Sequence, residues 1–213
     1  MSLEFEAVED FQDACHEVDL LIYYSKRNGK DLRKYATFNK AAIVLLCAKF
    51  EAFFESFLEE YAFFHLNISS NHSLDRSLYN HLVDCILNNI EFYKGKQDKR
   101  KDFINKLEVL CGAVEIRPIN SYQIDPKLKF GKHGQNEIQR LLKAFGFSEY
   151  STKDDVKSFF ITFNSLNSIR NNIIHEDATP SLTHQNVKSY LDAVKLFIDG
   201  LVLVAIDKME IAI

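Results

Sequence analysis

Along most of the chain the apolar residues recur at three- and four-residue steps, the period of helices that bury one face. In residues 3–28 the stripe is Phe5, Val8, Phe11, Cys15, Val18, Leu21 and Ile22. Asn28-Gly29 closes it, glycine being free to take the left-handed conformation that many helix ends need. The next pattern, from residue 32 or 36 to 67, is the longest and most apolar, through Ile43, Leu46, Cys47, Phe50, Phe53, Phe54, Phe57, Leu58 and Tyr61. A polar connector at 69–73 precedes a third predicted helix over 74–93. The basic run 94–101 breaks the pattern, and a fourth helix is predicted over 102–114. Residues 115–134, with Pro118, Pro126, Gly131 and Gly134, read as a long irregular loop. A short helix over 135–145 ends at Gly146. Ser151-Thr152-Lys153-Asp154-Asp155 is a start signal, a hydroxyl cap with carboxylates near the positive end of the dipole, for a helix running to about residue 175. After Pro180, Thr183 is placed to cap a last helix that turns Val187, Tyr190, Leu191, Val194, Phe197, Ile198 and Leu201 inward.

Composition narrows the class. Of 213 residues only 7 are Gly and 3 Pro, too few for a sandwich or barrel of many short strands, while 18 Phe and no Trp point to a Phe-rich core. The reading is an all-α protein of six to seven helices in one domain, residues 1–213. A net charge of −4 excludes a globally basic duplex binder, so any nucleic-acid contact is local. The first residues, Leu3-Glu4-Phe5-Glu6, are acidic where a signal peptide would be basic, and the apolar run 193–206 is interrupted by Lys195, Asp199 and Gly200. No membrane association and a cytoplasmic location are expected. Cys15, Cys47, Cys85 and Cys111 are scattered in helical patterns without a CxxC, which suits buried free thiols. No motif for a nucleotide cofactor, a metal or a hydrolase nucleophile occurs, so no cofactor or metal is expected.

The candidate chemistry gathers at the end of the helix reaching residue 175. On a helical projection, Val156, Phe159, Phe163, Leu166 and Ile173 fall within about 60° of Arg170, while Asn164, Asn167, Asn171 and His175 form a second line. An arginine that can hold a phosphate and a histidine that can move a proton suffice for RNA cleavage. The spacing alone is not diagnostic, because Arg76 and His81 repeat it at the start of the third helix without a polar residue after the arginine. The same features also fit a plain helix terminus, with His175 favourable at the negative end of the dipole and Arg170 in a structural ion pair with Glu51 or Glu55. Glu51, Glu55 and Glu59 fall four apart on the long helix, either as a solvated face or with Glu51 facing the arginine. Two basic stretches are candidate RNA contacts: Lys127, Lys129 and Lys132 beside Tyr122 and Phe130 in the loop, and Lys99 and Arg100 in the basic run.

The order of elements is a long Phe-rich helix, an irregular insertion, a capped helix ending Ser168-Ile169-Arg170-Asn171-Asn172-Ile173-Ile174-His175, and one more helix. It resembles the HEPN superfamily, whose signature is an arginine, usually followed by a polar residue, with a histidine four to six positions on. AAIVLLCAKFEAFFESFLEEY (41–61) looks like the first core helix of the RiboL-PSP type, and NEIQRLLKAFGF (136–147) is similar to that group's helix before the motif. The likeness spans about residues 36–206, with the insertion near 115–134 and the N-terminal helix 3–28 matching less well. It implies a HEPN-like bundle and a metal-independent endoribonuclease of toxin or anti-phage defence type. In that scheme Arg170 binds the scissile phosphate, His175 serves as general base or acid, and Asn171 orients the phosphate or the histidine. Glu51 and Asn167 support the arginine and the motif helix. The resemblance also implies a homodimer that pairs two motif helices, and it leaves room for an antitoxin or other protein partner. A different function within the same superfamily is a non-catalytic module that binds RNA, a nucleotide or a partner protein.

Overall fold

The apolar stripes become the buried faces of eight helices in a computed structural model, which describes residues 4–68, 75–112, 124, 126–127, 134–176 and 180–211. These are α1 (Glu6–Arg27), α2 (Leu32–Ile68), α3 (Arg76–Phe92), α4 (Gln97–Leu110), α5 (Gly134–Ala144), α6 (Ser148–Ser151), α7 (Asp154–His175) and α8 (His184–Ile211). No strand occurs among the described residues, as expected of an all-α chain. The count exceeds six to seven because the turn before α7 winds into the four-residue α6.

α2 is the axis of the bundle, packed by α1, α7 and α8. All nine of its predicted core residues, from Ile43 to Tyr61, are buried. Each large apolar side chain so buried contributes about 1.5–3 kcal/mol, which makes this helix the main source of cohesion. α1 lies along it through Phe5, Phe11, Cys15, Val18 and Ile22, and Glu60 of α2 accepts a hydrogen bond from the Ala7 backbone N–H (2.9 Å) in the first turn of α1. Phenylalanines lock the other side. Phe159 of α7 stacks on Phe197 of α8 with centroids 4.1 Å apart, and Phe50 of α2 meets Phe163 at 5.4 Å and Phe197 at 5.9 Å. The α3–α4 hairpin joins the bundle through α5, which also packs on α6 and α7.

Several local expectations change. α4 begins at Gln97, so the basic run lies mostly on a helix; Lys, Arg and Gln are good helix formers, and Asp98 sits in the first turn where the dipole favours it. Gly29 has no positive φ: α1 stops at Asn28, whose side chain donates to the Tyr24 carbonyl (2.8 Å). The Ser151 and Thr152 hydroxyls do not cap α7. They donate back to the Ser148 and Glu149 carbonyls, leaving Lys153 at the cap position and Asp154 and Asp155 in the first turn. Thr183 does cap α8, accepting from Asn186 N–H (3.1 Å) while Asn186 Oδ1 accepts from Thr183 N–H (3.0 Å), a reciprocal box. Gly146 ends the α5 segment at φ +84°, and a Cβ there would lie 2.7 Å from the Asp75 carboxyl carbon. None of the four cysteines is in a disulfide; Cys15 and Cys47 are buried, but Cys85 is half-buried and Cys111 is exposed just past α4, where the stripe has run out. No described helix is long and apolar enough to cross a membrane. Of the irregular stretch 115–134, only 124, 126–127 and Gly134 fall among the described residues.

Candidate active site at the end of the motif helix

α7 exists because Val156, Phe159, Phe160, Phe163 and Leu166 bury one face against α2 and α8, and its last turn then carries Arg170, Asn171 and His175 beyond the Phe cluster. Arg170 and Asn171 are half-buried and His175 is exposed. Arg170 Nη1 donates to Asn171 Oδ1 at 2.9 Å, so the neighbouring amide orients the guanidinium. The charge of Arg170 is felt by two α2 side chains one turn apart. Burial raises the Glu51 carboxyl, Glu55 raises it further, and Arg170 pulls it down. Burial pushes the Cys47 thiol up to about 12, with Arg170 acting in the opposite sense. The arginine therefore projects towards α2 at the level of Cys47 and Glu51.

The amide line on α7 divides in two. Asn164 docks α5: its Oδ1 accepts from Gln135 N–H (3.3 Å) and its Nδ2 donates to Gln135 Oε1 (3.0 Å). Asn167, 6% exposed, lies beside it under Gly134, where a Cβ would come within 3.1 Å of Asn164 Oδ1 and 3.3 Å of Asn167 Nδ2. At φ +35° and in that space, only glycine fits comfortably at the start of α5. Asn167 Oδ1 has no hydrogen-bond partner among the described residues. The amide line read from the sequence thus serves, in its first half, to seat α5.

Beyond the motif, the chain returns to α2. Asn39 Nδ2 donates to the Leu182 carbonyl (2.9 Å), and the His184 backbone N–H donates to the Tyr35 hydroxyl (3.0 Å). Ser165 and Tyr190 hydroxyls meet at 2.9 Å between α7 and α8. These contacts hold the approach to and the exit from the motif. The repeat of the spacing has a different setting: His81 packs its ring on Phe145 (5.2 Å) with Nε2 3.7 Å from Cys85 Sγ.

Of the candidate RNA contacts, Lys99, Arg100 and Lys127 are exposed, while Lys129 and Lys132 lie outside the described residues. Among the described residues, no three His, Cys, Asp or Glu side chains converge as a metal site requires. Sequence reasoning did not single out Cys47 or Gln135 as neighbours of the motif helix. The four-residue step from Cys47 to Glu51 was the available signal for the first; nothing local marked the second.

An all-α bundle with an Arg–Asn pair and a histidine at the end of a core helix is the architecture of a HEPN domain. The sequence matches the RiboL-PSP-HEPN family model over residues 9–206, and the chain belongs to that family. The matched span takes in most of α1 as well as the stretch between α4 and α5. No curated protein and no solved structure matches the chain.

Proposed function

We propose that the chain is an endoribonuclease, with Arg170, Asn171 and His175 as its catalytic centre and a homodimer as its working form. The observation that carries the reading is the half-buried Arg170, held by Asn171 and flanked by Glu51, at the end of a helix whose exposed terminus presents His175. A guanidinium fixed in this way is a preorganised donor pair for phosphate oxygens, effective as charge builds up on them in the transition state. Glu51 acts as the supporting carboxylate that keeps the arginine in place, and Asn167 keeps the motif helix in register with α5.

The chemistry follows from RNA itself. The 2′-oxygen attacks the adjacent phosphorus, its proton passes to a general base, and the P–O5′ bond breaks as a general acid protonates the leaving oxygen. The products are a 2′,3′-cyclic phosphate and a 5′-hydroxyl. One imidazole serves one of the two proton transfers at a time, so a dimer that brings two His175 side chains together supplies both. A toxin or anti-phage role, with a neutralising partner, fits a nuclease of this kind and is the biological setting we propose.

The test compares wild type with Arg170→Ala and His175→Ala on total RNA in EDTA, with folding checked by circular dichroism. We expect wild type to leave cyclic-phosphate ends and each variant to lose about 100-fold or more in rate. Equal cleavage by the variants, or an inert wild type across several RNAs, defeats the nuclease. The second reading, a binding module without catalysis, draws on the net charge of −4 and is favoured if RNA or a nucleotide co-purifies uncleaved.

A further inference from the structure

The tip of the α3–α4 hairpin carries an arrangement that the motif helix does not use. α3 ends at Phe92, Tyr93 caps it, and the turn closes with Lys96 N–H on the Tyr93 carbonyl (2.8 Å) before α4 starts at Gln97. Phe92 is 77% exposed, far more than a residue needed for packing. Its ring meets Tyr93 edge-on at 4.9 Å, and Tyr93 lies nearly parallel to Phe103 of α4, centroids 5.8 Å apart at 8°. Cations surround these rings: Lys99 Nζ stands 5.1 Å and Lys96 Nζ 6.0 Å from the Tyr93 centroid, and Lys106 Nζ 4.6 Å from that of Phe103. An open recess of ≈ 440 Å³ is lined by Tyr93, Asp98, Lys99, Asp102 and Phe103.

The local charge is opposite to that of the molecule. Between residues 91 and 106 six Lys and Arg face three acidic residues, a balance of +3 in a chain of net −4. Part of this is internal, since Glu91 pairs with Lys94 (3.1 Å) and Asp102 with Lys106 (2.8 Å). Lys99, Arg100 and Lys101 are exposed beside the rings on the first turns of α4. Stacking faces next to a short cationic row match a strand of unpaired bases, whose bases need aromatic partners and whose phosphates need cations. A duplex hides its base faces, and an acidic peptide has none. Carboxylates in the recess repel a phosphate there but accept from the exocyclic amino groups of A, C or G.

We propose that this hairpin tip is a docking platform for single-stranded RNA, with Phe92 and Tyr93 stacking bases while Lys99, Arg100 and Lys101 hold phosphates. The choice of RNA over DNA rests on the ribonuclease reading; the platform itself does not.

The experiment measures fluorescence anisotropy of labelled 12-nucleotide oligo(A), oligo(U), single-stranded DNA and an RNA duplex with full-length His175→Ala protein, which leaves the probe intact. Phe92→Ala and the Lys99→Ala/Arg100→Ala pair are then made in that background. Both alter exposed side chains, so the Tyr93–Phe103 stack that clasps the hairpin survives. We expect oligo(A) to bind ahead of oligo(U) and of the duplex, Phe92→Ala to weaken it by about tenfold, and the double variant to lower the slope of log K against log salt by about 1.4. Unchanged binding in both variants, equal binding of duplex, or equal competition by polyglutamate overturns the platform. Cleavage by wild type with no such binding leaves the nuclease standing and removes the platform. Binding with the expected losses beside an inert wild type does the reverse.

Discussion

At the scale of single residues, burial opposes charge at two places in the molecule, with different consequences. Beside Arg170, burial pushes the Cys47 thiol up to about 12 and raises the Glu51 carboxyl despite the nearby guanidinium. Such a cluster is poor for stability and useful for holding a guanidinium still. His65 is the opposite case. It is 5% exposed between Tyr61 (4.5 Å) and Phe64 (5.6 Å), and neither ring nitrogen has a hydrogen-bond partner among the described residues. Burial lowers its pKa, Asp75 pulls it up and Lys208 pushes it down again, those being the charges that face it. The folded state therefore prefers the neutral ring. Its contribution to stability is present above the unfolded value near 6.5 and is lost as pH falls through that value towards the lower folded one. His65→Leu removes two unpartnered nitrogens at similar volume. It should raise stability at neutral pH by about 1 kcal/mol and flatten the decline between pH 7 and pH 5. Urea titrations across that range check it; a parallel decline in variant and wild type would show that His65 is not the group titrating.

At the scale of helices, the motif is held in place from the side. Phe159 stacks on Phe197 at 4.1 Å, Phe163 meets Phe50 at 5.4 Å, and the Tyr150 hydroxyl donates to the Phe197 carbonyl at 2.6 Å. Phe197→Ala should cost about 3–5 kcal/mol and leave α7 free to shift on α8. RNA cleavage, measured where the variant is still folded, should then fall by more than the folded fraction. Cleavage that simply tracks the folded fraction would mean that this packing does not set the site. These contacts explain what was legible beforehand. Periodicity exposes the stripe of α2 and α7 because each residue's partner face recurs within its own helix, and Arg170, Asn171 and His175 share one helix, so their relative placement follows from its geometry. The docking of Gln135 on Asn164 depends on how two separate helices meet, and no single-helix pattern encodes that. The misassigned caps at Ser151 and Thr152 have the same root: a hydroxyl can bond forwards into a coming helix or back to the turn before it, and α6 supplied the carbonyls.

At the scale of the whole molecule, the chain is acidic in net while the hairpin tip is locally cationic, and His175 lies exposed at the far end of α7. In the proposed nuclease, an exposed imidazole with one proton to give or take needs a second group, and a second copy of the chain would provide it with the least new structure. If two His175 residues complete one centre, a dimer with one intact histidine is inactive. Mixing wild type with equal His175→Ala protein and allowing subunits to exchange leaves one quarter of dimers fully intact. Activity per wild-type chain then falls to about half, and at ninefold excess of the variant to about one tenth, as random pairing of copies in a symmetric dimer requires. If each chain is self-sufficient, activity per wild-type chain stays constant at every ratio, even when sedimentation shows a dimer. Adding Arg170→Ala in place of His175→Ala separates the roles further. A loss with the histidine variant alone places the shared duty on proton transfer, whereas an equal loss with both shows that the two motif helices bind one phosphate together. The readout is a ratio within one preparation, so it would report on the composition of the proposed centre independently of the absolute rate of cleavage.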